Sequence, residues 1–168
     1  MGCNHLPAGK PLSFNIDAYS PYLTELSTYV KKMTLEAKQY IHGTWGYSAE
    51  KLKTSVVPYD DTLTMSVDIR KAYNNTQRLI SADGLISCTA AMEKLYVAIG
   101  DGAYRDGFHA SLGVGRYMLG LVWYTVLFGK KVDENTYRDF DVDVTDEEIE
   151  LAKKLATEAV IEAGYKLK

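Results

Sequence analysis

Between Ala110 and Gly129 the chain is almost continuously apolar, and whatever fold it adopts must hide that stretch from water. The length would let a single helix span a bilayer. Arg116 near its start, the small residues Gly113, Gly115 and Gly120, and the Gly129-Lys130-Lys131 end are better explained by a helix buried inside an α/β domain. The expectation is therefore a packed helix, with no membrane partner.

The rest of the chain sets the company that helix keeps. Leu23, Leu26, Val30 and Met33 recur at helical spacing from Pro21 to about Lys38. Gln39 to Trp45 is short, aromatic and β-branched, ends in Gly46, and reads as a buried strand. Lys51 to Asp61 is polar and holds Pro58, so it reads as a connection. Helical spacing returns from Thr64 to about Ser81 through Met65, Ile69, Tyr73 and Ile80. Gly84 to Cys88 is a second candidate strand, and Thr89 to Ile99 a further helix ended by Gly100-Asp101-Gly102. Thr145 and Glu148 form a capping box ahead of a last helix carrying Ile149, Leu155, Ala159 and Val160, closed by Gly164. The first twenty residues, rich in Pro, Gly, Asn and Ser, read as loop.

Strands alternating with helices imply parallel pairing with crossover helices. Two strands cannot shield so many apolar helix faces, so the sheet is expected to lack strands on its N-terminal side. At 168 residues, 46% hydrophobic and 24% charged, the chain has the size and composition of one soluble globular domain covering 1–168. A formal net charge of -3, without a basic stripe, argues against a nucleic-acid partner.

Cys3 and Cys88 are too few for a disulfide framework. With His5, His42 and His109 they show no close metal-ligand spacing, so neither metal nor organic cofactor is expected. The opening residues contain no apolar signal core, and Leu6 breaks the myristoylation pattern. A cytoplasmic setting is the default, and a secreted or periplasmic one follows if upstream sequence carries a leader. The 13 tyrosines can line carbohydrate sites or fill cores.

The sharpest chemical signal is Asp106-Gly107-Phe108-His109, directly ahead of the apolar helix. An aspartate three residues before a histidine on a tight turn can accept from the imidazole Nδ1–H. That leaves Nε2 free to take a proton from a hydroxyl nucleophile. The alternative is that Asp106 caps a turn beside an ordinary surface histidine. A helix starting near Ser111 would aim backbone amides at this loop, and Gly113 and Gly115 would admit a close neighbour.

The stretch from Asp106 to Gly129 resembles the C-terminal block of a family of bacterial SGNH (GDSL-like) hydrolases. Tyr40-Ile-His-Gly-Thr-Trp-Gly-Tyr-Ser48 is similar to that family's strand ending in Thr-Trp-x-Tyr, and Pro21-Tyr-Leu-Thr-Glu-Leu26 to the helix before it. The agreement runs from about residue 20 to the C-terminus. The resemblance implies a flavodoxin-like three-layer sandwich with a parallel sheet, its N-terminal strands missing from this chain. It also implies a Ser-His-Asp hydrolase of carboxylic esters, plausibly acetyl groups on carbohydrate, acting through an acyl-serine. His109 would be the general base and Asp106 its orienting partner. Gly2-Cys3-Asn4-His5 resembles the Gly-x-Asn-Asp block, which would make Asn4 an oxyanion-hole donor, although His5 departs from the pattern.

His42, Trp45 and Tyr47 lie in a matched segment and are candidates to line a substrate site. For His42 the alternative is a hydrogen-bonded strand histidine; for Trp45 and Tyr47 it is packing. Arg116 could meet an anionic group or pair with a carboxylate within the fold. A serine in a Gly-Asp-Ser-like turn after an apolar strand is absent: Ser13 lies between Leu12 and Phe14, and Ser20 precedes Pro21. The expected function is thus an ester hydrolase acting on a small-molecule or carbohydrate ester, its nucleophile unidentified. The alternative is a non-catalytic binding remnant, or one that self-associates as a homo-oligomer through an exposed sheet edge.

Overall fold

The computed structural model describes residues 16–18 and 20–168. In chain order the main elements are α1 (Ser20–Met33), β1 (Tyr40–His42), α2 (Ala49–Thr54), α3 (Thr62–Ile80), β2 (Gly84–Ile86), α4 (Cys88–Ile99), α5 (Val114–Phe128) and α6 (Asp146–Glu162). Single 3-10 turns occur at Ile16–Ala18 and Gly100–Ala103.

Local sequence accounts for most of these boundaries. Asp61 accepts from the Thr64 amide at 2.7 Å and starts α3, which ends where Ser81 turns left-handed. The capping box of α6 forms as expected, with Thr145 N–H donating to Glu148 Oε2 at 2.9 Å and Glu148 N–H to Thr145 Oγ1 at 3.2 Å. Gly129, at φ 65°, closes α5.

One connection is more ordered than its polarity suggested. Ala49–Thr54 forms a helix because Ser48 Oγ accepts from the Lys51 amide at 3.1 Å. Its single buried apolar residue, Leu52, is too little for a periodic signal.

The two strands pair in parallel, Tyr40 opposite Gly84, Ile41 opposite Leu85 and His42 opposite Ile86. Helices cover both faces. Ile41 and Leu85 pack with Tyr47, Leu52, Met65, Ile69 and Tyr73. On the other face, Tyr40 and Ile86 join the larger core of α4, α5 and α6. The result is an α/β arrangement, mostly helical, around a small parallel sheet. Among the described residues the sheet has two strands, and β1 has no strand on its outer edge.

The apolar segment that opened the sequence becomes α5, packed chiefly on α6. Val114, Met118, Leu121, Val122 and Val126 are buried in the larger core, each worth about 1.5–3 kcal/mol relative to exposure. Among the described residues no helix is long and apolar enough to cross a membrane. Burial is one-sided, however, since Trp123, Leu127 and Phe128 stay partly exposed. Arg116 meets Asp141 at 3.5 Å, an ion pair at the surface rather than inside the fold.

Among the described residues much of the apolar surface of helix α1 is left uncovered. Ser27 is its buried residue, while Tyr22, Leu26, Tyr29 and Met33 form an exposed stripe.

Candidate functional site

The carboxyl end of β1 leads into the segment 43–48, and this segment carries the loop that bears Asp106 and His109. That loop is a closed hairpin. Tyr104 and Ala110 form an antiparallel bridge. Arg105 N–H donates to the His109 carbonyl and Ser111 N–H to the Ala103 carbonyl, both at 2.9 Å. Gly107 makes the tight turn at φ 88°, a conformation that strains any residue with a Cβ. A Cβ there would also lie 2.6 Å from Lys51 Cβ.

Four hydrogen bonds tie the hairpin and the turn before it to residues 45–49. Trp45 Nε1 donates to the Phe108 carbonyl at 2.9 Å and Ser48 N–H to the Gly107 carbonyl at 2.7 Å. Tyr104 O–H donates to the Gly46 carbonyl at 2.9 Å, and Ala49 N–H to Asp101 Oδ1 at 3.2 Å. Phe108 packs against Tyr47, ring centroids 5.9 Å apart, under the Lys51 ammonium. The site loop is therefore held by structure at the carboxyl ends of parallel strands, where α/β folds place ligands.

Within the loop, Asp106 Oδ2 lies 2.7 Å from His109 Nδ1. Oδ1 accepts from the amides of His109 at 2.9 Å and Phe108 at 3.3 Å. Arg105 Nη2 sits 3.2 Å from Oδ2. The His109 amide bond is the chief cause that holds the Asp106 carboxyl pKa well below the usual carboxylate range, helped by the imidazole, the Phe108 amide and Arg105. A carboxylate so held only accepts hydrogen bonds, so His109 Nδ1 must carry the proton and donate. The lone pair of Nε2 is then available, on a ring that is about half exposed. Arg105 also lies 3.2 Å from Nδ1, where it acts as a neighbour because both groups are donors.

The other expected site residues separate. Tyr47 has no exposed surface. It belongs to the core beside α3, where its ring packs against Phe108. Trp45 is half-buried, and its indole N–H is spent on the Phe108 carbonyl. His42 sits at the end of β1 with its ring centroid 5.5 Å from that of Trp123 and 6.3 Å from that of Trp45. Burial lowers its basicity, and its Nδ1 is buried without a hydrogen-bond partner among the described residues. Asn4, His5, Cys3 and Ser13 lie outside the described residues. Cys88 is a free, buried thiol whose pKa burial pushes up to about 12. Among the described residues no three His, Cys, Asp or Glu side chains group as a metal site.

Gly113 and Gly115 do admit close neighbours: a Cβ would lie 2.7 Å from Val144 Cγ2 at the first and 3.2 Å from the Ala103 carbonyl at the second. The roles of Arg105 and Ser48 are not legible in the sequence: adjacency to Asp106 is the available sign for the first, and nothing local points to Ser48 as a brace for the hairpin.

Comparison with known proteins bears on these features. No curated protein matches the chain. A crystal structure of a DUF4886 family protein from Bacteroides uniformis is similar to it, with 27% sequence identity and a TM-score of 0.78. The match covers 94% of this chain and 61% of that one, so the chain spans under two thirds of its structural relative. A family model described as a domain of unknown function, DUF4886, matches residues 6–159, and the chain belongs to that family.

Proposed function

We propose that this chain carries the acid–base end of an SGNH-like ester hydrolase. The observation that supports it is the 2.7 Å contact between Asp106 Oδ2 and His109 Nδ1, on a loop braced at the carboxyl end of the sheet. In this reading Asp106 fixes the tautomer, and His109 Nε2 takes the proton of a serine hydroxyl as it attacks an ester carbonyl. The same nitrogen then returns the proton to the leaving alcohol, and the acyl-serine is hydrolysed by water activated the same way. The reading needs a serine on a turn after a strand paired with the outer edge of β1, which would widen the sheet toward a flavodoxin-like sandwich. Among the described residues no hydroxyl bonds to His109.

The assay is turnover of p-nitrophenyl acetate by the full chain. His109→Ala should lower kcat by about 10⁴-fold or more, and Asp106→Asn by about 10³–10⁴-fold. Turnover unchanged by His109→Ala contradicts the proposal.

A second reading, assembly through self-association, is favoured by the stripe of α1 and the outer edge of β1, which among the described residues stay exposed and unpaired. It predicts elution as a dimer or larger on a sizing column, with no esterase turnover.

A further inference from the structure

Away from the Asp106–His109 loop, a groove of about 390 Å³ runs between α5 and the segment 135–141. Gly120, itself exposed, lies along this groove, and an added Cβ there would meet nothing within 4 Å. Glycine inside a helix costs about 0.5–1 kcal/mol relative to alanine. Elsewhere on α5 a close contact accounts for glycine: Ser111 and Ala103 crowd Gly115. No packing neighbour demands glycine at 120, and the bare backbone there leaves the helix surface along the groove open to a ligand.

The walls are aromatic. Tyr117 stacks on Tyr137 with centroids 6.2 Å apart and meets Phe140 edge-on at 5.2 Å. Tyr137 remains 51% exposed, and Tyr124 stands one helical turn beyond Gly120.

The polar groups are few and fixed. Asn135 Oδ1 accepts from Tyr117 O–H at 2.8 Å and from the Tyr137 amide at 3.1 Å. A backbone N–H can only donate, so that atom is the oxygen, and the two Nδ2 hydrogens remain for a ligand. At the rim, Arg116 pairs with Asp141, and Asp139 adds a second carboxylate. Among the lining side chains one cation stands against two carboxylates, which disfavours phosphate or carboxylate ligands.

The exposed rings of Tyr124 and Tyr137, an amide with free donors and an Arg–Asp pair that can grip adjacent hydroxyls match a neutral sugar. Arg116, Gly120 and Tyr124 span about 12 Å along α5, longer than one sugar ring. We propose that this groove is a binding site for a neutral oligosaccharide. The site works by binding alone and does not require Asp106 or His109 to act.

The test titrates the full chain separately with xylohexaose, cellohexaose and chitohexaose, followed by calorimetry and amide NMR shifts. The expected result is saturable binding of at least one sugar, shifting signals of residues 116–124 and 135–141. Gly120→Leu projects a side chain into the groove and should weaken binding at least tenfold with Tm held or raised. Gly120→Ala should keep the fold and weaken binding less, and Tyr137→Ala should also weaken it. His109→Ala should bind as the native chain does, which separates this site from the hydrolase proposal. Three results would overturn the site: no saturable binding of any of the three sugars, binding untouched by Gly120→Leu, or shifts confined to residues 45–51 and 105–109.

Discussion

The two ends of this fold are finished to different degrees. Around the Asp106–His109 hairpin, the Gly107 and Phe108 carbonyls meet donors from Ser48 and Trp45, and a fully buried tyrosine backs the turn. At α1, Tyr22, Leu26, Tyr29 and Met33 are 60–72% exposed on a stripe that could have packed. The hairpin is thus stabilised by groups inside the chain, while α1 and the outer edge of β1 present surface suited to another strand or subunit. Function can reside on the first region without the second being covered, but covering the second would bring a new element beside the carboxyl end of β1.

Matched substitutions sharpen that contrast. The largest stability effect is expected where the hairpin's support meets the core: Met65→Ala, at a residue with no exposed surface, should cost about 2–5 kcal/mol by chemical denaturation. Gly107→Ala should cost about 1–3 kcal/mol, through its left-handed backbone and the clash with Lys51. It should also lower any esterase activity more than its Tm, because the hairpin tip itself is displaced. Leu26→Gln on the α1 stripe should stay within about 0.5 kcal/mol of the native chain. A cost near that of Met65→Ala would mean that α1 is covered in solution and that the contrast is false.

The smallest expected effect is one of pH. Because the folded-state pKa of Asp106 is depressed, the stability it lends is complete above the ordinary aspartate value of 3.8 and is lost only as pH falls through the lower folded value. Its carboxyl carbon shift should therefore stay flat while pH is lowered from neutrality through 3.8. A titration step at that ordinary value would show that the amide bonds to Asp106 are absent in solution.

Much of the helical framework was legible because apolar spacing and capping chemistry are local. The Thr145–Glu148 box and the α3 periodicity through Met65, Ile69 and Tyr73 are examples. Helix α2 was missed because a six-residue helix with one buried leucine has no period to detect. Of the candidate site, Asp106 and His109 were readable since three residues on a turn already bring carboxylate and imidazole together. Trp45 and Tyr47 were ambiguous because aromatic residues suit a sugar face and a core equally well. What decides between those roles is contact across about sixty residues, such as Trp45 with Phe108, and a linear pattern carries no record of that. The gap over Gly120 was equally invisible, since empty space appears only once α5 and the segment 135–141 are side by side.

The central claim is that the carboxylate of Asp106 holds the proton of His109 on Nδ1. Long-range nitrogen–proton NMR correlations of the His109 ring read this directly, without substrate and whatever the source of the nucleophile. The neutral ring should carry its proton on Nδ1, with Nε2 bare, and Asp106→Asn should shift that balance toward Nε2–H. A native ring protonated on Nε2 would contradict the account.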